Sequence, residues 1–351
     1  MTLLEKTLAA INGADQEAAA EAKKRLDCLT KPLGSLGMLE EMAMRLAAVQ
    51  QTVFPQIKGK VVMIMAGDHG VVNEGVSAYP QEVTPQMVIN MLKQGAAINV
   101  LARQNNAKVV LADVGVMGAP IEHPEIKQCK VRAGTGNIVR EAAMTEEEAI
   151  TAIEHGIRLV NEEIDNGANL IATGEMGIGN TTPSSAILAV YSAAPIAEIT
   201  GLGTGIDDSG FREKVSVIKK AIENNKPDPQ APLDVLKKVG GLEIAALTGV
   251  ILGAAARKVA VVVDGFISGA AALLAYKMKP ECRDYMFGSH LSQEPGHRLM
   301  MELIGLKPML HLDMRLGEGT GAVLTFNLLE AATKIISEMA TFEQAGVSTQ
   351  S

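Results

Sequence analysis

Apolar runs of strand length recur along the chain at 60–66 (KVVMIMA), 108–114 (KVVLADV), 169–173 (NLIAT), 198–202 (EITGL) and 259–264 (VAVVVD). Each is followed by a glycine-rich turn and then by a stretch of helical period. The runs lack the polar alternation that a strand with one wet face needs, so they suit strands covered on both sides, as in a parallel sheet between helices. Helical periods at 84–104, 145–166, 182–192, 211–223, 243–257 and 267–278 supply the crossovers. Strands separated by such helices make right-handed units, and the expected fold is an α/β doubly wound parallel sheet. Residues 1–50 and the stretch after about 293 read as helices only. A small helical domain built from both termini is therefore expected, with boundaries at 1–55, 56–292 and 293–351. The polar tail after Phe342 is expected to fray.

Composition removes several function classes. Lys and Arg number 32 against 40 Asp and Glu, a net charge of −8. Nucleic acid and anionic membrane surfaces both reward basic patches, so neither is an expected partner. The apolar stretch 259–276 contains Asp264, Gly265 and Gly269, which suits a buried strand, turn and helix better than a membrane span. Cys28, Cys129 and Cys282 lie too far apart for a paired-cysteine metal site or a small disulfide framework. The opening residues are charged and helical in period rather than leader-like, and a soluble cytoplasmic protein is expected.

In open α/β sheets, ligands sit beyond the carboxyl ends of the strands, so the turns after the runs should carry the chemistry. After 169–173 comes GEMGIGNTTPSSAI, from Gly174 to Ile187. Its glycines allow close backbone approach to a ligand, Thr181 or Thr182 can cap the next helix, and Pro183 suits the first turn. Free N–H groups at such a helix start favour phosphate. Glu175 is awkward beside an anion, yet sensible if it accepts hydrogen bonds from ribose hydroxyls; a plain tight turn remains the alternative. In MRLGEGTGAVL (314–324), Gly317 and Gly319 flank Glu318, leaving its carboxylate accessible as a general base. The alternative is a carboxylate favoured only by the dipole of a helix capped by Thr320. The irregular segment AGDHGVVNEGVSAYPQEVTPQM (66–87) suits a loop lining a site. Asp68 and His69 within it read as a structural pair, since nothing nearby completes a metal ligand set. In KPLGSLGMLE (31–40), Ser35 reads as a helix cap.

Together, KPLGSLGMLE, DHGVVNEGVSAYPQEVT, GEMGIGNTTP, DGF (264–266), SHLSQEPG (289–296) and MRLGEGTGA resemble the nicotinate-nucleotide:dimethylbenzimidazole phosphoribosyltransferase family of cobamide lower-ligand activation, through nearly the whole chain. The resemblance implies a Rossmann-like sheet plus a small helical domain, a dimer, and transfer of phosphoribosyl from nicotinate mononucleotide to an aromatic base. It implies no metal and no cofactor. It places the catalytic base at Glu318, the ribose carboxylate at Glu175, Asp264 near the nucleotide, and phosphate holders at Lys214 and Ser292 with the loop backbone around Gly177. Benzimidazole-activating members have a Ser and a Gln in the acceptor pocket where this chain has Tyr79 and Met87. They have Leu where it has Met176, and Leu316 completes the wall. Losing two polar partners suits a one-ring acceptor, and the pattern resembles the branch that makes phenolyl cobamides from phenol or p-cresol. Members of that branch pair as two homologous subunits.

Three other readings stand beside this one. A benzimidazole acceptor would require the Tyr and Met to be neutral drift. A non-catalytic subunit completing a partner's site would be expected to lose Glu318, Glu175 and Lys214, all of which are present. A dinucleotide oxidoreductase lacks its glycine fingerprint here.

Overall fold

The computed structural model describes residues 1–348. Seven strands form one parallel sheet: β1 (Lys60–Gly67), β2 (Lys108–Gly115), β3 (Ile126–Gln128), β4 (Leu170–Met176), β5 (Ala260–Val263), β6 (Met286–His290) and β7 (Pro308–Leu310). Their order is β3-β2-β1-β4-β5-β6-β7. The path turns back between β1 and β4, and such a reversal opens a crevice beyond the carboxyl ends of the two strands. Met65 pairs with Glu175 and Ala66 with Met176, so both strands end at the same level. Val61 through Ala66 and Leu170 through Gly174 are buried, as runs without polar alternation require when helices cover both faces. Leu242–Ala256 is apolar on every side and lies between the sheet, Glu146–Asp165 and Phe266–Met278. Among the described residues no helix is long and apolar enough to cross a membrane.

Helices Gln16–Asp27, Met38–Gln50 and Phe326–Glu338 pack together. Arg25 ties the first to the last by donating to the carbonyls of Ile336 and Met339. Leu3–Ala10 instead lies on the large body, where Glu154 accepts from the Leu3 and Leu4 amides.

Several sequence expectations are corrected. Residues 198–202 are not a strand: Ile196–Ile199 is one helical turn opened by Pro195, and the chain then loops. The stretch after 293 is not helical throughout, because β7 pairs with β6. β6, sequence MFGSH, was hidden by Gly, Ser and His within five buried residues. The segment from Phe342 is not irregular at once: Thr341 caps the short helix Phe342–Ala345, and residues 349–351 lie outside the described residues. The helix expected over 84–104 is two, Val83–Leu92 and Ala97–Gln104, broken where Gln94 turns left-handed at φ 63°. That break exposes a helix N-terminus inside the molecule, with functional consequences below.

Candidate active site

The loops after β1, β4, β5, β6 and β7 converge on a cavity of about 680 Å³. Its walls include Tyr79, Met87, Glu175, Met176, Gly177, Asp264, Ser292, Leu316 and Glu318, residues separated in sequence by up to 239 positions. Lys214 does not line it; its ammonium stands one layer behind, against Thr181 and Gly203, which do.

Glu318 sits in a strained turn. Gly317, Glu318 and Gly319 are all left-handed, at φ 88°, 62° and 92°. For a glutamate that conformation costs about 1–2 kcal/mol, so surrounding contacts must impose it. They are visible. The Asp264 carboxylate accepts from the amides of Gly319 (3.1 Å) and Ala322 (2.9 Å), and Thr320 donates its hydroxyl to the Gly317 carbonyl (2.7 Å). Gly174 has no side chain to push the turn away: a Cβ there would lie 2.6 Å from the Glu318 carbonyl oxygen. Thr320 therefore does not cap the helix Thr320–Leu324, as its position suggested; Asp264 does so from the end of β5. The Glu318 side chain is buried at 5% exposure, and Oε2 accepts from the Ile98 amide at 3.1 Å. That amide is free because Ile98 lies in the first turn of Ala97–Gln104. Burial raises the Glu318 carboxyl above its ordinary range; the Ile98 bond opposes this and the Asp264 charge adds to it.

Glu175, at the end of β4, is buried with Asn180 donating its amide to Oε2. Its other oxygen packs on the bare Cα of Gly317, where a Cβ would come within 2.3 Å. Burial, with Glu243, Asp264 and Glu318 nearby, pushes this carboxyl up to about 8 despite the Asn180 bond. A group raised to about 8 is mostly protonated at neutral pH, so this wall carries one negative charge fewer than its carboxyl groups would suggest. Asn180 occupies the N-cap of Thr181–Tyr191 but makes no cap there, and neither Thr181 nor Thr182 caps the helix. Pro183 does lie in the first turn.

Lys214 is fully buried and donates to Thr181 Oγ1 (2.7 Å) and the Gly201 carbonyl (3.1 Å). Burial lowers its ammonium to about 8, against the pull of Glu294. Glu294 accepts from the Gly203 amide at 3.2 Å, and Arg315 donates to the Gly203 carbonyl at 3.0 Å. The 200–207 loop is thus clamped over one end of the cavity, and Thr204 reaches across it to Ser77 Oγ at 3.1 Å. Sequence reading missed Arg315, Glu294, Asn180, Thr181, Thr204 and His290 as wall residues. All but Thr204 lie in motifs quoted above, so the motif was seen but not which side chain faces inward.

Asp68 and His69 are buried and turn to separate partners. Asp68 accepts from the Met117 amide at 2.7 Å, and His69 Nε2 lies 2.7 Å from Glu243 Oε1. Burial works against charge on His69, but Glu243 holds its ring above the ordinary histidine value. Ser35 is not a cap either: Met38–Gln50 starts at Gly37, and the KPLGSLGMLE loop is held by a buried Lys31–Glu40 ion pair at 2.9 Å. Around the mouth of the cavity, Tyr79 and Leu316 stand 55% and 58% exposed, while Met87 and Met176 are half-buried.

A buried glutamate on a stiffened turn faces a cavity whose wall also holds Glu175, Asp264 and Arg315, and the family described as phosphoribosyltransferase matches residues 11–347. A nicotinate-nucleotide–dimethylbenzimidazole phosphoribosyltransferase from Desulforamulus reducens is 57% identical over 99% of both chains, and the one from Geobacter sulfurreducens is 54% identical over the same shares. The crystal structure of CobT from Thermus thermophilus superposes with a TM-score of 0.92 at 48% identity, covering 95% of this chain and all of that one. The chain belongs to the nicotinate-nucleotide–dimethylbenzimidazole phosphoribosyltransferase family.

Proposed function

We propose that this enzyme transfers phosphoribosyl from nicotinate mononucleotide to a one-ring phenolic acceptor, phenol or p-cresol, giving an α-O-riboside 5′-phosphate for cobamide lower-ligand synthesis. Phosphoribosyl transfer from the nucleotide is the activity of the family; the phenolic acceptor is the finer step. The observation that carries it is that Tyr79, Met87, Met176 and Leu316 line the cavity that Glu318 also lines, and they put an aromatic ring, two thioethers and an aliphatic chain there rather than the Ser and Gln that would partner a second ring nitrogen.

In the reaction, the C1′–N bond of the nucleotide breaks with its electron pair returning to the pyridinium nitrogen, so nicotinate leaves without needing a proton. The acceptor oxygen forms the new bond at C1′ from the opposite face, and its proton passes to the Glu318 carboxylate. An unperturbed phenol titrates near pH 10, so the carboxylate takes the proton as the oxygen becomes acidic in the transition state. Ser292, the Gly177 turn and the Lys214-braced Thr181 are proposed to hold the phosphate, with Glu175 at the ribose. Holding C1′ in line between nucleotide and acceptor is the proximity contribution. No step here calls for a metal or cofactor.

A second reading, transfer to 5,6-dimethylbenzimidazole, is favoured by the names of the relatives at 57% and 54% identity. We also infer a dimer, with a second copy or a homologous subunit; the exposed apolar Tyr79 and Leu316 at the cavity mouth support it. One experiment separates the readings: nicotinate release and riboside formation from phenol, p-cresol and dimethylbenzimidazole at equal concentration, with the chain alone and with a homologous partner. Ribosides from benzimidazoles alone would refute the phenolic acceptor. No turnover by the chain alone, with turnover restored by the partner, would point to the non-catalytic subunit.

A further inference from the structure

His290, at the end of β6, lines the cavity with Ser292 and Glu318, and its hydrogen bonds fix the role of Nδ1. Ser289 Oγ lies 2.9 Å from the Asp264 carbonyl oxygen and 3.0 Å from His290 Nδ1. A carbonyl can only accept, and a hydroxyl has one hydrogen, so Ser289 donates to Asp264 and must accept from His290. Nδ1 therefore bears the hydrogen, and the Asp264 carboxylate 3.9 Å away favours it there. Gly321 leaves room for the ring here, since a Cβ on that residue would fall 1.9 Å from Nδ1. With Nδ1 so engaged, Nε2 has no protein partner among the described residues, and when the ring carries a single proton it is a lone-pair acceptor.

We propose that His290 Nε2 accepts a hydrogen bond from a ribose hydroxyl of the nucleotide, making His290 a substrate-binding residue. This rests on the activity proposed above. The sugar must span from the phosphate, placed at Ser292, to C1′, placed at Glu318, and His290 lines the cavity with both. The hydroxyls are the donors it carries along that span. An acceptor pre-oriented by Ser289 orients the sugar without adding charge to an acidic wall.

The test compares nicotinate mononucleotide with its 2′-deoxy and 3′-deoxy analogues, using the full chain and His290→Phe. We expect the parent to lose roughly tenfold in kcat/KM with one of the two analogues, as for one hydrogen bond lost with its acceptor left unpaired. His290→Phe should lose a similar factor with the normal nucleotide and nothing more with that analogue. Losses that multiply for both analogues overturn the proposal while leaving the activity standing. A parent that releases no nicotinate removes the activity and this proposal together. Should His290→Phe fail to fold, nitrogen NMR of histidine-labelled parent protein decides: Nε2 should resonate as a bare nitrogen and shift on adding nicotinate mononucleotide. A bare Nδ1, or an Nε2 signal unmoved by saturating nucleotide, overturns it.

Discussion

Replacing Glu318 with Gln removes one proton acceptor and little else. The carboxylate binds the Ile98 amide through Oε2 at 3.1 Å, and the Gln oxygen can keep that bond. The amide NH₂ then takes the place of Oε1 and presents a donor where the acceptor's proton has to arrive. The turn is held by Asp264 and Thr320 rather than by the Glu318 side chain, so the fold and nucleotide binding should survive. Removing a positioned general base costs roughly 10²–10⁴-fold, about 2.7–5.4 kcal/mol of barrier, and it should appear in kcat rather than KM. A pH profile sharpens the test. The base works only when deprotonated, and burial raises its carboxyl, so parent kcat should fall as pH drops through that raised value. The residual activity of the variant should lack this limb. The assay is nicotinate release at saturating nucleotide and acceptor, with nucleotide affinity measured separately by calorimetry. Near-normal turnover, or an unchanged acid limb, would move the base elsewhere.

Lys214→Ala should raise the KM for nicotinate mononucleotide by roughly 10–150-fold, alike for every acceptor, because a charge-assisted contact braces Thr181 and the Gly201 carbonyl; an acceptor-dependent effect would mean that the Thr181 and Gly201 segment it braces reads the acceptor rather than the phosphate. Glu175 has a folded value near 8 against an ordinary 4.5, so it favours the folded state below about pH 4.5 and loses that contribution as pH rises to about 8. Melting temperature should decline over that window and decline less in Glu175→Gln; parallel curves would show that Glu175 is not the group responsible. Tyr79→Ser with Met87→Gln should shift preference from phenol toward dimethylbenzimidazole by about 1–3 kcal/mol, read as the ratio of kcat/KM values. An unchanged ratio would mean that these two positions do not read the acceptor.

The features legible in the sequence were those whose cause is local. Continuous Val and Ile runs predicted β1, β2, β4 and β5, because burial on both faces leaves no room for polar alternation. Glu318 stood out because two glycines flank it, and those glycines do carry left-handed backbone. The misread caps share a different cause. Thr181, Thr320 and Ser35 have the right side chain at the right offset, but the first turns they precede are served from elsewhere or left open. Asn180 is drawn to Glu175 instead, and the Thr320 turn is satisfied by Asp264 from across the sheet. The break at Gln94 was passed over because apolar residues continue at helical spacing beyond it, although Gly95 directly after it is a stop signal.

The sequence by itself determined the α/β class, the crossover helices and the turns where chemistry would lie, since strand and helix periods and glycine spacing act over a few neighbouring residues. Tertiary structure alone decided what each site group is paired with. The Ile98 amide reaches Glu318 across 220 positions, Asp264 reaches Ala322 across 58, and Glu294 reaches Gly203 across 91. Such bonds form only once β1, β4, β5 and β6 lie side by side and bring their loops to one end of the sheet. Burial in that place is also what raises Glu175 and lowers Lys214, shifts that no stretch of sequence encodes because they depend on the water removed rather than on the residues adjacent in the chain.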